Sequence, residues 1–383
     1  MTHYLDHNAT TRLLPEALEA MTRAAEKAWA NPSSLHAPGR AARAVVETAR
    51  EQVAELTGAA PHEIVFTGGG TEACAFGVLG AARSLTASRG RPGHIVATAF
   101  EHSAVKSAVA SLEGEGWEIT WVKPDADGVV HPNAVEAALR ADTSLCVVMA
   151  AQNEVGTLQP IAEIGALLKQ GGRDIVLFSD MIQSLGKSLV NLAALPVDLA
   201  PIVAHKIGGP KGTGALYVRK GARVEPLLRG GGQERALRGG TENVPGIAGF
   251  GAAAAWWRRH GDAERGRVAA LRDALQGALS ERIPDMRVTA EKTPRLGNTL
   301  HATFPGARGD VMVMALDLRG IAVSAGSACA SGSVKPSEAL LAMGRSPEDA
   351  VSSLRFSLGF GNMAEEIAPV ADAVASAYAA ARA

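Results

Sequence analysis

Between residues 62 and 220 short apolar runs alternate with helical segments, and this alternation limits the fold more than any other feature of the chain. The runs are PHEIVF (62–67), HIVATAF (94–100), WEITWVK (117–123), LCVVMA (145–150), DIVLFSD (174–180), VDLAPIVAH (197–205) and GALYVRK after a glycine turn. Several are apolar throughout, as strands buried on both faces are. Between them lie helical stretches such as TEACAFGVLGAARSL, HPNAVEAALR and IAEIGALLKQGG. Strands joined by helices predict an α/β fold with a mostly parallel sheet covered on both faces. Two helices are expected ahead of it, over Pro15–Ala28 and about 40–57, the second closed by Gly58. Beyond about residue 245 a long helical segment runs through the 250s to the 270s, followed by short strands near 298–304 and 322–328 and a terminal helix. This predicts a smaller α+β domain. The expected division is a large domain over 15–255, and a small one built from 1–14 and 256–383.

Charge and composition exclude several functions. The formal net charge is -1 and the hydrophobic fraction 47%, which argues against wholesale disorder and against a strongly basic nucleic-acid binder. Aromatic residues make up 4%, too few for a platform that stacks single-stranded bases. The longest apolar candidate, Ile247–Trp257, suits a buried helix and is too short to span a membrane. The opening MTHYLDHN carries Asp6 in place of an apolar core, so no signal peptide is expected. Cys74, Cys146 and Cys329 are far apart and form no C-x-x-C pair, which points to a reducing cytoplasm and away from disulfides.

Polar residues gather where the strands end, the ligand edge of open α/β sheets. FTGGGTEA (66–73) joins a strand to a helix through three glycines, with Thr71 near the helix start. Backbone N–H groups there form an anion site suited to phosphate, or the glycines simply make a turn. Ala73 breaks a dinucleotide fingerprint, and neither this stretch nor GGPKGTG (208–214) ends as a Walker A loop. Asp180 closes one strand and is either functional or a helix cap. Lys206, after another, either forms a Schiff base or reaches solvent by its stem. His102 stacks on a flat cofactor or is structural, and Asn153 is a site residue or a turn residue. Together a phosphate cradle, an Asp, a Lys and a His are what pyridoxal 5'-phosphate requires.

The sequence resembles the cysteine desulfurases, class V aminotransferases of pyridoxal-phosphate fold-type I. The motifs that carry the resemblance are YLDHNATT (4–11), NPSSLHAPGR (31–40), EIVFTGGGTEA (63–73), EHSAV (101–105), QNEVG (152–156), SDMIQS (179–184), AHKIGGPKGTGALYVR (204–219), RGGTENV (238–244), SAGSACASG (324–332) and LRFSLG (354–359). They span nearly the whole chain in the family's order. The resemblance implies a seven-stranded, mostly parallel sheet in the large domain. It implies that Lys206 carries the cofactor, Asp180 faces the pyridine nitrogen, Gln183 the phenolic oxygen, and His102 stacks on the ring. Gly70, Thr71 and His205 would hold the phosphate, with Thr241 donated by the partner subunit of a homodimer. Asn153 and Arg355 would hold the substrate carboxylate, and Asn8 lies in the N-terminal active-site motif. Arg355 also suits that task chemically, since its planar fork grips a carboxylate.

Several positions depart from the commoner pattern. Val203 stands where a hydroxyl usually reaches the phosphate, so modestly weaker cofactor retention is expected. Gly68–Gly70 replace a Ser-Gly-Ala, Gln152 replaces an asparagine, and His7-Asn8 varies the usual pair. Cys329 lies among small residues, unlike a core cysteine, and the family's persulfide-forming cysteine sits at this position. The form of the segment resembles the subgroup with the longer catalytic loop, which would let Cys329 move between cofactor and acceptor. Cys74 and Cys146 read as packing residues. The implied reaction converts L-cysteine to L-alanine and passes sulfur through a Cys329 persulfide to an iron–sulfur scaffold or other acceptor protein. A selenocysteine lyase or another class V transferase is the alternative. A non-enzymatic scaffold is disfavoured because Lys206, Asp180 and Arg355 are all present. No resident metal, nucleic acid or membrane partner is expected, although the Cys329 thiolate is chemically able to hold iron or a cluster transiently.

Overall fold

A computed structural model of the chain describes residues 3–325 and 335–382. Seven strands form the large sheet, in the spatial order Ile64–Thr67, Gly214–Val218, Leu199–Val203, Val176–Phe178, Thr143–Val147, His94–Thr98, Glu118–Val122. Only Gly214–Val218 runs against its neighbours; the other pairings among the later strands are parallel. The central strands His94–Thr98, Thr143–Val147 and Leu199–Val203 are buried at every position, as the absence of alternation in their sequences requires. Glu118–Val122, at the edge, begins on an exposed Glu118. The strand expected over 174–180 shortens to Val176–Phe178. Its ladder with the next strand holds only Phe178 opposite Leu199, and Pro201 just beyond has no N–H to extend it. Asp180 thus lies just past the ladder, its carbonyl still accepting from Ala150 N at 2.9 Å.

Helices cover both faces of this sheet. Pro15–Lys27 opens on proline, and Ala37–Thr57 is capped by His36, whose Nδ1 accepts from Gly39 N at 3.2 Å, and closed by Gly58 at φ 69°. The long helix Val244–Arg282 has 39 residues, about 58 Å at 1.5 Å per residue. It packs on both of those helices. Gly251 makes the approach possible: a Cβ there would lie 2.6 Å from Ala49 Cα. The apolar run Ile247–Trp257 is indeed a buried helix face, joining the core beneath the sheet through Ile247, Phe250, Ala253, Ala254 and Trp257. The same helix continues unbroken past residue 255, and its later residues Val268, Leu271, Leu275 and Leu279 belong to a second core.

That second core lies under a three-stranded antiparallel sheet of Arg287–Val288, Thr299–Thr303 and Ser353–Ser357, with the terminal helix Ile367–Arg382. His3–Tyr4 pairs in parallel with Ile321–Ala322 and brings the N-terminus to this unit. The strand expected over 322–328 is Ile321–Ala322 instead, followed by an isolated bridge between Ser324 and Arg355; positions 326–328 lie outside the described residues. Among the described residues no helix is long and apolar enough to cross a membrane.

Candidate active site

The strand Ile64–Thr67 runs straight into Gly68–Gly70, and the helix Gly70–Arg89 starts there. Its N-cap Gly69 takes φ 149° and provides no side-chain cap, so the first-turn N–H groups stay available to an anion, with the positive end of the helix dipole behind them. Space above Gly69 is open, whereas a Cβ on Gly70 would come within 2.9 Å of Ile182 Cδ1 and 3.8 Å of Val203 Cβ. Val203, the residue standing in place of a hydroxyl, therefore borders the cradle. Thr71 is exposed in the helix's first turn. His205 lies beside the N-terminal segment, its Nδ1 3.1 Å from Thr10 Oγ1. Burial, helped by the Lys206 charge, lowers its pKa to about 4.

Asp180, buried, accepts from Ile182 N at 2.9 Å through Oδ1, while Oδ2 faces Cys74 Sγ at 4.0 Å. Burial raises its pKa; the Ile182 N–H, His102 and Lys206 pull the other way. Lys206 sits in the tight turn Ala204–Lys206 that ends the strand Leu199–Val203. Its Nζ donates to the carbonyls of Asn8 and, at 2.7 Å, Ala9. Burial first, and the Arg355 charge second, bring its pKa down to about 8, so an appreciable fraction is a free amine near neutrality. His102 keeps part of its ring in solvent, but the protein around it still lowers its pKa by desolvation, opposed by Asp180. Its Nδ1 accepts from Ala104 N at 3.2 Å and caps the helix Ser103–Ser111.

Arg355, on the strand Ser353–Ser357, donates to Asp6 Oδ1 at 2.6 Å, Ser324 Oγ at 3.1 Å and the carbonyl of Asn153 at 3.0 Å. Its buried Nε has no partner among the described residues. Asn8 joins the same group: its Nδ2 donates to Thr299 Oγ1 at 2.9 Å and to the Asn153 carbonyl at 3.3 Å. Gln183 Nε2 donates to the Asn8 carbonyl at 3.0 Å. One network thus unites Lys206, Gln183, Asn8, Asn153 and Arg355. Thr241 is set apart from it, in an open groove of about 220 Å³ shared with Thr67, Gly68, Gly212 and Arg238. Cys329 lies outside the described residues.

Four side chains at the site were not foreseen in a role. Asp6 and Ser324 hold Arg355. Lys187 donates to Asn8 Oδ1 at 2.8 Å and to Gln183 Oε1; its only sequence signal is a spacing of four from Gln183. Glu101, whose Oε1 accepts from Met149 N at 2.6 Å and from Thr98 Oγ1, has a buried Oε2 with no partner among the described residues. Burial pushes the Glu101 pKa up to about 8, from an ordinary value of 4.5. A carboxyl whose pKa rises on folding binds more protons folded than unfolded, so its contribution is fully present below about pH 4.5 and is lost as pH climbs through about 8. Glu101→Gln removes that loss. The variant should melt close to the parent near pH 5 and several degrees above it near pH 9 (about 2–4 °C per kcal/mol for a large chain). A melting difference that stays flat over that range would contradict a protonated Glu101.

Cys74 and Cys146 are both fully enclosed. Burial raises the Cys74 pKa well above its usual range, and Cys146 is pushed up to about 12. Neither has the thiolate that a nucleophile needs.

Residues 3–370 match the family model for class-V aminotransferases. Over 364 residues the chain is 42% identical to the cysteine desulfurase IscS of Dictyoglomus turgidum, covering 95% of this chain and 91% of that one. A solved NifS-like protein superposes with a TM-score of 0.91 at 34% identity, covering 98% of this chain and 99% of the other. SspA, solved in complex with cysteine, gives a TM-score of 0.79 at 32% identity over 94% of this chain and 99% of its own. Matches of this identity along almost the full length, on the same fold, show that the chain belongs to the cysteine desulfurase family of class-V aminotransferases.

Proposed function

We propose that the chain binds pyridoxal 5'-phosphate and takes sulfur from L-cysteine, releasing L-alanine and leaving a persulfide on Cys329. The observation that carries this reading is the meeting of three groups between the ligand edge of the large sheet and the strand Ser353–Ser357 of the small one. These are an amine with its pKa near 8, a buried carboxylate without an ion-pair partner among the described residues, and an arginine whose Nε has no partner among them. The residues fit the cofactor. The uncapped helix start at Gly69–Thr71, with His205, suits its phosphate, and Asp180 Oδ2, which has only a thiol 4.0 Å away, suits a protonated pyridine nitrogen. Bound there, the cofactor supplies an electron sink for the substrate carbon that loses its proton.

The chain's own residues do the rest. Arg355 and Asn153 hold the substrate carboxylate, and the Arg355 Nε–H is free to join that grip. Lys206 would hold the cofactor, and its amine, when free, would take the substrate Cα proton. Cys329 attacks the substrate Sγ as a thiolate; the carbon–sulfur bond breaks, the sulfur stays on Cys329 as a persulfide, and the carbon that lost it takes up a proton. In this reading His102, exposed at the site, supplies that proton. The balance is L-cysteine plus the Cys329 thiol giving L-alanine plus the Cys329 persulfide. The persulfide then passes its terminal sulfur to an iron–sulfur scaffold or another acceptor protein. The same reading divides the chain into 15–255 for the cofactor and 1–14 with 256–383 for the cysteine segment. It makes the working unit a cytoplasmic homodimer, with Thr241 reaching the partner's phosphate site.

Cofactor-free protein given pyridoxal 5'-phosphate should turn yellow, and borohydride should fix the pyridoxyl group on Lys206. Lys187 is the informative competitor, since burial also depresses its pKa; a tag on Lys187 or Lys211 would refute the assignment.

A further inference from the structure

Lys187 is the second amine of this site, and no step of the reaction above uses it. It follows Gln183 by four residues in the turns that leave the strand Val176–Phe178, and the two side chains meet there. Lys187 and Lys206 line one cavity of about 50 Å³ with His7 and Asn298. Burial, then the charges of Lys206 and Arg355, hold the Lys187 pKa well below the usual lysine range. Among the described residues its Nζ donates to two amide oxygens, Asn8 Oδ1 at 2.8 Å and Gln183 Oε1. An ammonium and a neutral amine both carry the two N–H bonds this needs.

The bond to Gln183 Oε1 fixes how that amide is turned, and the bond to Asn8 Oδ1 adds to the hold that Asn298 already has on the other. With Oδ1 held by Lys187 and by Asn298 Nδ2 at 3.0 Å, Asn8 must point Nδ2 toward Thr299 Oγ1 and the Asn153 carbonyl. That carbonyl also receives Arg355. With Oε1 held, Gln183 must point Nε2 the other way, where it donates to the Asn8 carbonyl that Lys206 also reaches. An amide is nearly symmetric in shape, so packing alone would leave either flip open.

We propose that Lys187 is a positioning residue: by donating to the oxygens of Gln183 and Asn8 it locks both amides, so that Gln183 offers N–H and never C=O to the phenolic oxygen of the cofactor. The proposal rests on the cofactor reading above. An N–H facing that oxygen stabilises its anion, and a carbonyl there would repel it. Losing the lock therefore makes the Lys206–cofactor linkage hold its proton to higher pH.

The test is a pH titration of the visible absorbance of the holoenzyme. Lys187→Met has similar volume and no donor, and should raise the apparent pKa by about one unit, a tenfold change in the dissociation constant. Gln183→Met should raise it similarly, and the double variant should add nothing further, because Lys187 acts through Gln183. Cofactor-free Lys187→Met should also bind pyridoxal phosphate several-fold more weakly. Should the Met variant not fold, Lys187→Gln replaces it. Its shorter side chain cannot reach both oxygens, so a shift of the same sign is expected. An unshifted titration in either variant, or equal and additive shifts in the double variant, would overturn the proposal. A wild-type protein with no titrating band on Lys206 would instead overturn the cofactor reading itself.

Discussion

Lys206→Ala should release L-alanine from L-cysteine at least about a thousandfold more slowly than the parent, and borohydride should leave no pyridoxyl group on the chain. Both losses have one cause. The amine is brought to about 8 by burial and by Arg355, and it stands at the end of a fully buried strand facing the same site as Asp180. Among the described residues no other group there combines nucleophile and base in that position. Lys187 is enclosed and already committed to Asn8 and Gln183, so it should not substitute. Cofactor should still enter the pocket without a covalent bond, because the helix start at Gly69–Thr71 is untouched. Lys206→Ala that retains a reducible cofactor bond, or alanine release near the parental rate, would remove Lys206 from the mechanism.

Glu234→Ala should destabilise the chain by about 3–5 kcal/mol, the range for breaking a buried pair from one side. Arg50 and Glu234 are 2% and 1% exposed and meet through two bonds of 2.7 Å. Glu234 Oε2 also accepts from Phe66 N at 2.8 Å, Arg50 donates to the Ile64 carbonyl at 2.9 Å, and the guanidinium lies 4.8 Å from the Phe66 ring centre. The pair therefore pins a surface segment to the very strand that leads into the phosphate cradle. It also holds Glu234, Arg235 and Ala236 at φ 47°, 58° and 64°, left-handed conformations that cost energy for residues with a Cβ. Removing the carboxylate leaves a buried guanidinium and frees that strained turn, five residues before Thr241. A lowered urea midpoint should be accompanied by faster cofactor loss on dialysis. The apolar pair Arg50→Met with Glu234→Leu should recover much of the stability. A Glu234→Ala variant as stable as the parent would contradict the role of this pair.

The sheet was legible because its strands are apolar throughout, and the ligand edge because Gly68–Gly70, His102, Asp180 and Lys206 each close such a run. The ends were less so. DIVLFSD reads as a strand to Asp180, yet pairing stops at Phe178, since the ladder depends on Pro201 in a strand some twenty residues on. The texture change near 245 marks the start of Val244–Arg282, but nothing in a continuous helical pattern says that residues up to Trp257 and from Val268 serve different cores. Long-range polar contacts left the weakest trace. Asp6 meets Arg355 across 349 residues, and Lys187 meets Asn8 across 179; no local pattern encodes either. The motif resemblance placed Asn8, Asn153 and Arg355 in one site, and the structure adds that a single carbonyl, that of Asn153, joins Asn8 to Arg355.

Transfer of sulfur to Cys329 is the claim on which the whole account depends, and mass spectrometry of the holoenzyme after brief exposure to L-cysteine, without reductant, tests it directly. The peptide containing Cys329 should gain one sulfur atom, about 32 Da, in step with one L-alanine released per site. Cys74 and Cys146, whose thiols burial keeps protonated, should gain none. Cys329→Ser should still shift the cofactor absorbance on adding L-cysteine, yet form no persulfide and release almost no alanine. Alanine release by Cys329→Ser near the parental rate, or the added sulfur on Cys74 or Cys146, would contradict it.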